Sequence, residues 1–466
     1  MTSYHMKFFP NRITTALSRN YLALNVYAFI SAFTCYFCMY AFRKPFSVSE
    51  FNEIKVFGIE YKILLITLQA IGYTLSKFSG IKIISELNQK NRGKWIIFCI
   101  LFAEAALILF GLVPQPYNCI FMLLNGLPLG LIWGLVFSFI EGRRTSEILG
   151  SGMCVSFIVA SGAVKAVGRA VMNLGISQFW MPAVTGSFFF PILVLSVFML
   201  MSMPGPSAED LAAKTERVTM NSADRIRLLK NFGLGILAMT LFYMTLTAYR
   251  DFRDNFAAEL WEAFGYVGEP SIFAISEIIV AIIVVIPVGL FMLIKSNINV
   301  LVAYNILILS GMVIVAVCAL LYQKSVINGL LFMILSGIGL YVAYIPFNSI
   351  LFDIILSAFQ YRANSGFLMY ICDSFGYLSS VAILFVKNFA APKLSWLDFY
   401  IACSYIMGAT GLFLMLISLV YFLAKYRRWK HENSDQNALL KPDIEQQYTT
   451  EPSLEVTFPK ANESYT

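Results

Sequence analysis

The sequence predicts an all-α membrane protein with twelve transmembrane helices, arranged as two pseudo-symmetric six-helix bundles. Composition, the spacing of apolar segments and an internal repeat support this fold class. The chain has 466 residues, of which 58% are hydrophobic and 13% charged, and its mean hydropathy is +0.71. A soluble protein of this length needs more charge to cover its surface.

Twelve apolar segments are long enough to cross a bilayer, whose hydrocarbon core of about 30 Å takes about 20 helical residues. Most connections are short, which favours antiparallel neighbours. The segments are residues 22–50, 61–84, 95–113, 117–140, 148–171, 179–203, 229–256, 270–294, 298–322, 326–353, 363–387 and 396–425.

One long polar interruption divides six segments from six. It predicts an N-terminal bundle (1–203), a cytosolic linker (204–228), a C-terminal bundle (229–429) and a polar tail (430–466) that we expect to be disordered. The halves resemble each other, because Phe42, Arg43 and Phe46 recur at a constant offset as Phe252, Arg253 and Phe256. A parallel repeat of six helices is one arrangement of secondary transporters.

Basic residues predict the orientation. They gather in the connections that share a side with the N terminus, for example Lys90 to Lys94, Arg143 and Arg144, and the KYRRWKH stretch (425–431). The opposite connections at 114–116 and 173–178 have no lysine or arginine. This bias places both termini in the cytosol. We expect an integral protein of the bacterial inner (plasma) membrane, in contact with the lipid bilayer.

Several function classes are disfavoured by the residues themselves. The eight cysteines lie in or beside apolar runs without metal-ligand spacing, and the two histidines, His5 and His431, lie in the polar ends. No nucleotide-binding, metalloprotease or nucleophile-elbow pattern occurs in a suitable context. We therefore expect no cofactor, no metal site, no catalytic residues and no enzyme activity. The net charge of +7 is attributed to orientation, not to a nucleic-acid partner.

Charged residues inside a membrane cost at least about 2.5 kcal/mol each and are functional candidates by default. In the first segment, Tyr36, Tyr40 and Arg43 share one helix face. A guanidinium offers a planar fork that binds carboxylate or phosphate through two hydrogen bonds, and the phenols can donate to the same anion. The alternative is that Arg43 extends to the outer membrane surface.

Two further segments add candidate cations. Tyr73 and Lys77 are four residues apart in the second segment, where Lys77 either joins the cavity or reaches the inner surface. In the seventh segment, Arg253 is the repeat partner of Arg43 but Arg250 is deeper. One of them is expected to face the cavity, and the other to pair with a neighbouring aspartate. The sequence leaves this choice open.

Carboxylates in apolar runs have two possible roles. Asp373 and Glu277 are expected either to carry protons or to act as counter-ions for the cations. Glu104, in the third segment, is expected to be structural.

Three motifs resemble the organophosphate:phosphate antiporter family of the major facilitator superfamily: YFCMYAFRKPF (36–46), GYTLSKF (72–78) and LFGLVP (109–114). The resemblance covers about a fifth of the chain closely. It implies the major facilitator fold, with substrate phosphate held by Arg43 and by Arg250 or Arg253. It also implies that Lys77, Tyr36, Tyr40 and Tyr73 line the pocket.

The expected function is secondary active transport of a small organic anion, a phosphate ester or carboxylate, by alternating access. We expect a monomer, with phosphate or a proton as coupling ion. One alternative is a proton-coupled symporter that uses Asp373 or Glu277. Another is a membrane anion sensor on the same fold that does not transport.

Overall fold

The fold is taken from a computed structural model. It describes residues 11–51, 54–56, 58–86, 91–141, 143, 145–205, 207, 210, 222–291, 294, 296–349, 351–361, 363 and 365–449. Most of the predicted linker and the end of the predicted tail lie outside the described residues.

The first half contains seven described α-helices. They are α1 (Asn11–Arg19), α2 (Tyr21–Met39), α3 (Tyr61–Glu86), α4 (Arg92–Leu112), α5 (Ile120–Ile140), α6 (Ser146–Asn173) and α7 (Met181–Met201). Between α2 and α3 the chain forms two 3₁₀ turns (Tyr40–Phe42 and Pro45–Val48) and a small hairpin of β1 (Lys55–Val56) and β2 (Ile59–Glu60). Gly58 takes a positive φ of 77° in the hairpin turn, a conformation that suits glycine.

The second half contains eight described α-helices. They are α8 (Ser222–Asn255), α9 (Ala257–Ala263), α10 (Pro270–Phe291), α11 (Asn297–Gln323), α12 (Gly329–Ser349), α13 (Leu351–Ala358), α14 (Ser365–Phe385) and α15 (Trp396–Thr449). A π-helical turn, Val386–Ala390, follows α14.

The predicted fold class is confirmed. Within the described residues, eleven helical stretches are long and apolar enough to cross a membrane. The remaining predicted segment forms α3, which has 26 residues and carries Lys62, Gln69 and Lys77 along its length. These polar residues lower its hydropathy without ending the helix, since lysine and glutamine are good helix formers.

The same helix pairs recur in both halves. In the first half α3 packs on α5, α4 on α5, and α2 on α6; in the second half the corresponding pairs are α10 on α12, α11 on α12, and α8 on α14. Between the halves, α6 packs on α10 and α12, and α3 packs on α14. The functional site lies along these contacts between the halves.

A glycine allows α3 and α5 to approach closely. A Cβ atom at Gly126 would lie 2.3 Å from the backbone oxygen of Gln69, so a larger residue there would push α3 away. This close approach brings Gln69 and Asn125 within hydrogen-bond distance of each other, at 2.8 Å.

The chain divides into two compact units, residues 1–419 and 420–466. In the second unit α15 continues to Thr449, so residues 430–449 are helical where the sequence predicts a disordered tail. Extending an existing helix is easier than starting one, because each added residue gains a hydrogen bond. Residues 450–466 lie outside the described residues.

Candidate functional site

The break at the end of α2 fixes the position of Arg43. Because the helix gives way to a 3₁₀ turn, the carbonyls of Phe42 and Arg43 accept hydrogen bonds from other helices. Asn125 of α5 donates to the Phe42 carbonyl at 3.0 Å, and Gln69 of α3 donates to the Arg43 carbonyl at 3.1 Å. Both amides are buried. Sequence reasoning missed these two residues, although an Asn and a Gln in apolar helices are a signal for such a network.

The guanidinium of Arg43 is buried between the halves, with 9% of the residue exposed. Its Cζ lies 3.9 Å from the centre of the Tyr73 ring, a cation–π contact. Among the described residues no carboxylate lies within 4 Å of it, and its Nε has no hydrogen-bond partner. Within the described residues, Arg43 is therefore a cation without a directly paired carboxylate.

Arg250 comes from α8 in the other half. Its guanidinium contacts Asp251 through Nε at 2.9 Å and Nη2 at 2.5 Å. A third nitrogen, Nη1, donates to the hydroxyl of Tyr344, whose ring centre lies 4.4 Å from Cζ. Unlike Arg43, this arginine has a carboxylate partner.

Lys77 and Asp373 meet across the halves. Lys77 Nζ of α3 lies 2.6 Å from Asp373 Oδ2 of α14, and the Tyr243 hydroxyl donates to Asp373 Oδ1 at 2.7 Å. Lys77 is also close to the ring of Tyr377, at 4.7 Å. This lysine faces the other half instead of reaching the inner membrane surface.

Asp254 binds two lysines of the first half. Its carboxylate pairs with Lys44 and with Lys165, and it accepts a hydrogen bond from Ser161. Lys44 also donates to Asn255 at 2.9 Å. We call Asp254, Lys44 and Lys165 the clasp, because they join the two halves.

Other contacts join the halves near the clasp. Lys62 of α3 lies 2.5 Å from Glu259 of α9, and Asn173 at the end of α6 donates to the Gly268 carbonyl at 3.1 Å. We call this the distal end of the molecule, where α2 ends and α3 begins. In the described structure the halves are held together there.

A cavity of about 90 Å³ lies between the halves. Seven of the residues predicted from the sequence line it: Tyr36, Tyr40, Arg43, Tyr73, Lys77, Arg250 and Asp373. Sequence reasoning did not identify seven further lining residues: Trp133, Phe157, Tyr341, Tyr344, Asn348, Met369 and Tyr377. Aromatic residues are frequent throughout the sequence, so their pattern carries no specific signal for a cavity.

Arg253 and Glu277 do not line the cavity. Arg253 Nη1 lies 2.7 Å from Glu277 Oε1, and Nη2 donates to the Met333 carbonyl at 3.0 Å. Gly337 leaves room for this guanidinium, because a Cβ there would lie 2.7 Å from Nη2. The repeat partner of Arg43 is thus enclosed between α8, α10 and α12, and the deeper Arg250 faces the cavity.

Glu104 also lies away from the cavity. Its Oε1 accepts a hydrogen bond from Ser187 of α7 at 2.9 Å, and its buried Oε2 has no hydrogen-bond partner among the described residues. Among the described residues no group of three metal-ligating side chains occurs.

The fold is shared with solved transporters. A crystal structure of a D-xylose–proton symporter has a TM-score of 0.58 and 13% identity, covering 84% of this chain and 96% of that one. A nucleoside transporter, NupG, in a variant form has a TM-score of 0.54 and 16% identity, covering 86% and 99%. A bacterial homologue of human drug peptide transporters has a TM-score of 0.58 and 10% identity, covering 87% and 99%. At these identities the likeness shows the fold.

Sequence comparison gives the family. None of the curated proteins matches the chain. A family model described as "Family of unknown function (DUF5690)" matches residues 45–425, which is most of the chain. The protein therefore belongs to the DUF5690 family and is an integral membrane protein with the major facilitator fold.

Proposed function

We propose that this protein is a secondary transporter that moves a small organic anion, a phosphate ester or a carboxylate, by alternating access. The observation that carries the proposal is Arg43: a buried guanidinium with no carboxylate within 4 Å among the described residues, in a cavity between two helical bundles. Such a charge is costly in a membrane and persists where a ligand or water offsets it.

The two halves contribute arginines to the same cavity. Arg43 comes from the first half and Arg250 from the second. An anion bound to Arg43 would also contact second-half residues that line the cavity, such as Tyr341, and would favour a closed, occupied state. Because a ligand shifts a conformational equilibrium by its difference in affinity for the two states, substrate binding would drive the switch.

Opening of the distal end would separate the clasp. Lys44 and Lys165 would leave Asp254, and Lys62 would leave Glu259. From the distribution of basic residues we assign the distal end to the outside and both termini to the cytosol of a bacterial inner membrane. The described conformation is then closed to the outside.

Uptake into proteoliposomes tests the proposal. Purified protein would be reconstituted and supplied with radiolabelled glycerol 3-phosphate, glucose 6-phosphate, gluconate, glucuronate or lactate. We expect uptake of at least one anion, lost in Arg43→Ala and retained in Arg19→Ala, which removes an exposed arginine. Uptake that persists unchanged in Arg43→Ala would rule the proposal out. Binding without uptake would instead favour the anion sensor.

A proton-coupled symporter is the second candidate, supported by the position of Asp373 in the cavity beside Lys77. A substrate anion that attracts Lys77 would release Asp373 to take up a proton. Glu277 is less suited to this role, because it is enclosed with Arg253. A pH gradient that drives uptake, and loses that effect in Asp373→Asn, would support symport. Stimulation by internal phosphate would support exchange.

A further inference from the structure

Three of the four cations that line the cavity have a carboxylate partner within the protein. Lys77 pairs with Asp373 at 2.6 Å, and Arg250 pairs with Asp251 at 2.5 Å. In the clasp, Lys44 shares the carboxylate of Asp254 with Lys165 and also donates to Asn255. Of the four cations that line the cavity, Arg43 is therefore the one without a carboxylate within 4 Å among the described residues. In the part of the chain that the structure describes, a substrate anion therefore meets one guanidinium that has no directly paired carboxylate.

One guanidinium suits a carboxylate better than a phosphate ester. A carboxylate has two oxygens and one charge, which match one edge of the arginine fork. A phosphate monoester has three terminal oxygens and a charge near −2 at neutral pH, so it favours a second cation. Taking Arg250 for this purpose would remove it from Asp251, a half-buried carboxylate, which is unfavourable.

The remaining polar groups of the cavity suit hydroxyls. Within the described structure the hydroxyls of Tyr36, Tyr40 and Tyr341 have no hydrogen-bond partner, and all three residues line the cavity. A phenol donates one hydrogen bond and accepts others, as an alcohol does. Trp133, whose ring centre lies 4.9 Å from that of Tyr36, adds an apolar surface for the carbon skeleton.

The geometry points to a polyhydroxylated monocarboxylate, a sugar acid, as the substrate class. Its carboxylate binds Arg43, and its hydroxyls bind Tyr36, Tyr40 and Tyr341. This inference rests on the proposed function, because it names the anion that the carrier accepts. It differs from the phosphate substrate that the sequence resemblance implies, because Arg250, the arginine that α8 contributes to the cavity, is already paired with Asp251.

Binding to purified protein tests the substrate class, with ligands that differ in one property each. D-Glucuronate and D-gluconate carry both the carboxylate and the hydroxyls. D-Glucose lacks the charge, hexanoate lacks the hydroxyls, and glucose 6-phosphate replaces the carboxylate. Affinities would be measured by calorimetry and by the rise in melting temperature that a ligand of the folded state produces.

We expect a sugar acid to bind at least about tenfold more tightly than the three comparison ligands, a difference of about 1.4 kcal/mol. Arg43→Ala should abolish this binding, and Arg43→Lys should weaken it. Tyr36→Phe combined with Tyr341→Phe should reduce the preference for glucuronate over hexanoate and leave the melting temperature of the unliganded protein nearly unchanged.

The possible outcomes distinguish a failure of the sugar-acid inference from a failure of the proposed anion transport. If glucose 6-phosphate or hexanoate binds as tightly as the sugar acids, and Arg43→Ala abolishes that binding, the substrate class is overturned and the anion carrier stands. If glucose binds equally well and Arg43→Ala changes nothing, or if no ligand of the set binds, both are overturned.

Discussion

Lys77 of the first half and Asp373 of the second form an ion pair of 2.6 Å across the central cavity. The pair links α3 to α14 and removes one positive charge from the surface that a substrate anion would meet. Tyr243 also donates to Asp373, so the carboxylate has partners on α3 and on α8. The selectivity of the cavity therefore depends on which of its cations have carboxylate partners.

Asp373→Asn should change selectivity in favour of phosphate esters. The substitution leaves Lys77 without a carboxylate and gives the cavity a second available cation beside Arg43. We expect the affinity for glucose 6-phosphate relative to glucuronate to rise about tenfold or more. Calorimetry on the purified variant measures this ratio. Adding Lys77→Met should restore the original ratio, and an unchanged ratio in Asp373→Asn would contradict the charge argument.

Asn125→Ala should weaken anion binding although Asn125 does not line the cavity. It removes the hydrogen bond to the Phe42 carbonyl that positions Arg43, and a buried carbonyl left unpaired costs about 1–3 kcal/mol. We expect a lower melting temperature together with several-fold weaker binding of glucuronate.

Thr185→Ala is the matched control for Asn125→Ala. Thr185 is buried in the same half, and its hydroxyl bonds to the Met181 carbonyl in its own helix. This variant should lower the melting temperature and leave the affinity unchanged. If both variants reduce affinity to the same extent, Asn125 has no specific positioning role.

Arg253→Leu should destabilise the protein by up to about 3–5 kcal/mol, because it leaves the half-buried Glu277 without its partner. Glu277→Leu should have a comparable effect through the unpaired guanidinium. The double variant should lose much less stability than the sum of the losses in the two single variants. Denaturation in detergent, arranged as a double-mutant cycle, measures this coupling. An Arg253 variant that stays fully stable and loses anion binding would show a substrate role instead.

The distal end should open more readily as the pH rises. The negative charge of nearby Glu50 raises the pKa of Glu262, and burial raises the pKa of Glu259. When the halves separate, both pKa values return towards the ordinary range, so protons bind more tightly to the closed state. Closure is thus favoured at low pH and weakens as the pH rises through the raised pKa values. The effect of Glu262 is modest, because this side chain is exposed.

Spin labels at Leu174 and Val326, introduced as an unnatural amino acid, would report this opening. Both residues are exposed at the distal end, one in each half. Electron–electron double resonance should show a larger share of long distances at high pH, with a smaller pH response in Glu262→Gln. Asp398→Asn, which removes another exposed carboxylate, should respond like the original protein. An identical response in Glu262→Gln would exclude this carboxyl as a contributor.

The sequence predicted the helices well, because hydrophobic length is a local property. Boundaries were less accurate where polar contacts decide them: the first segment was expected to continue to residue 50, whereas α2 ends at Met39. At this early end the freed carbonyls of Phe42 and Arg43 bond to Asn125 and Gln69, which belong to other helices. The pairing of Arg253 with Glu277, rather than with an aspartate beside it, was equally a matter of tertiary structure.

By itself the sequence determined the membrane class, the number of apolar segments and the presence of charged side chains that a bilayer makes costly. Helical periodicity also placed Tyr36, Tyr40 and Arg43 on one face. Tertiary structure alone decided which cation remained unpaired. A positive charge becomes available to a ligand only when no carboxylate pairs with it. Helices distant in sequence bring Asp254 and Asp373 to their partners, whereas Asp251 reaches Arg250 through the direction of its side chain.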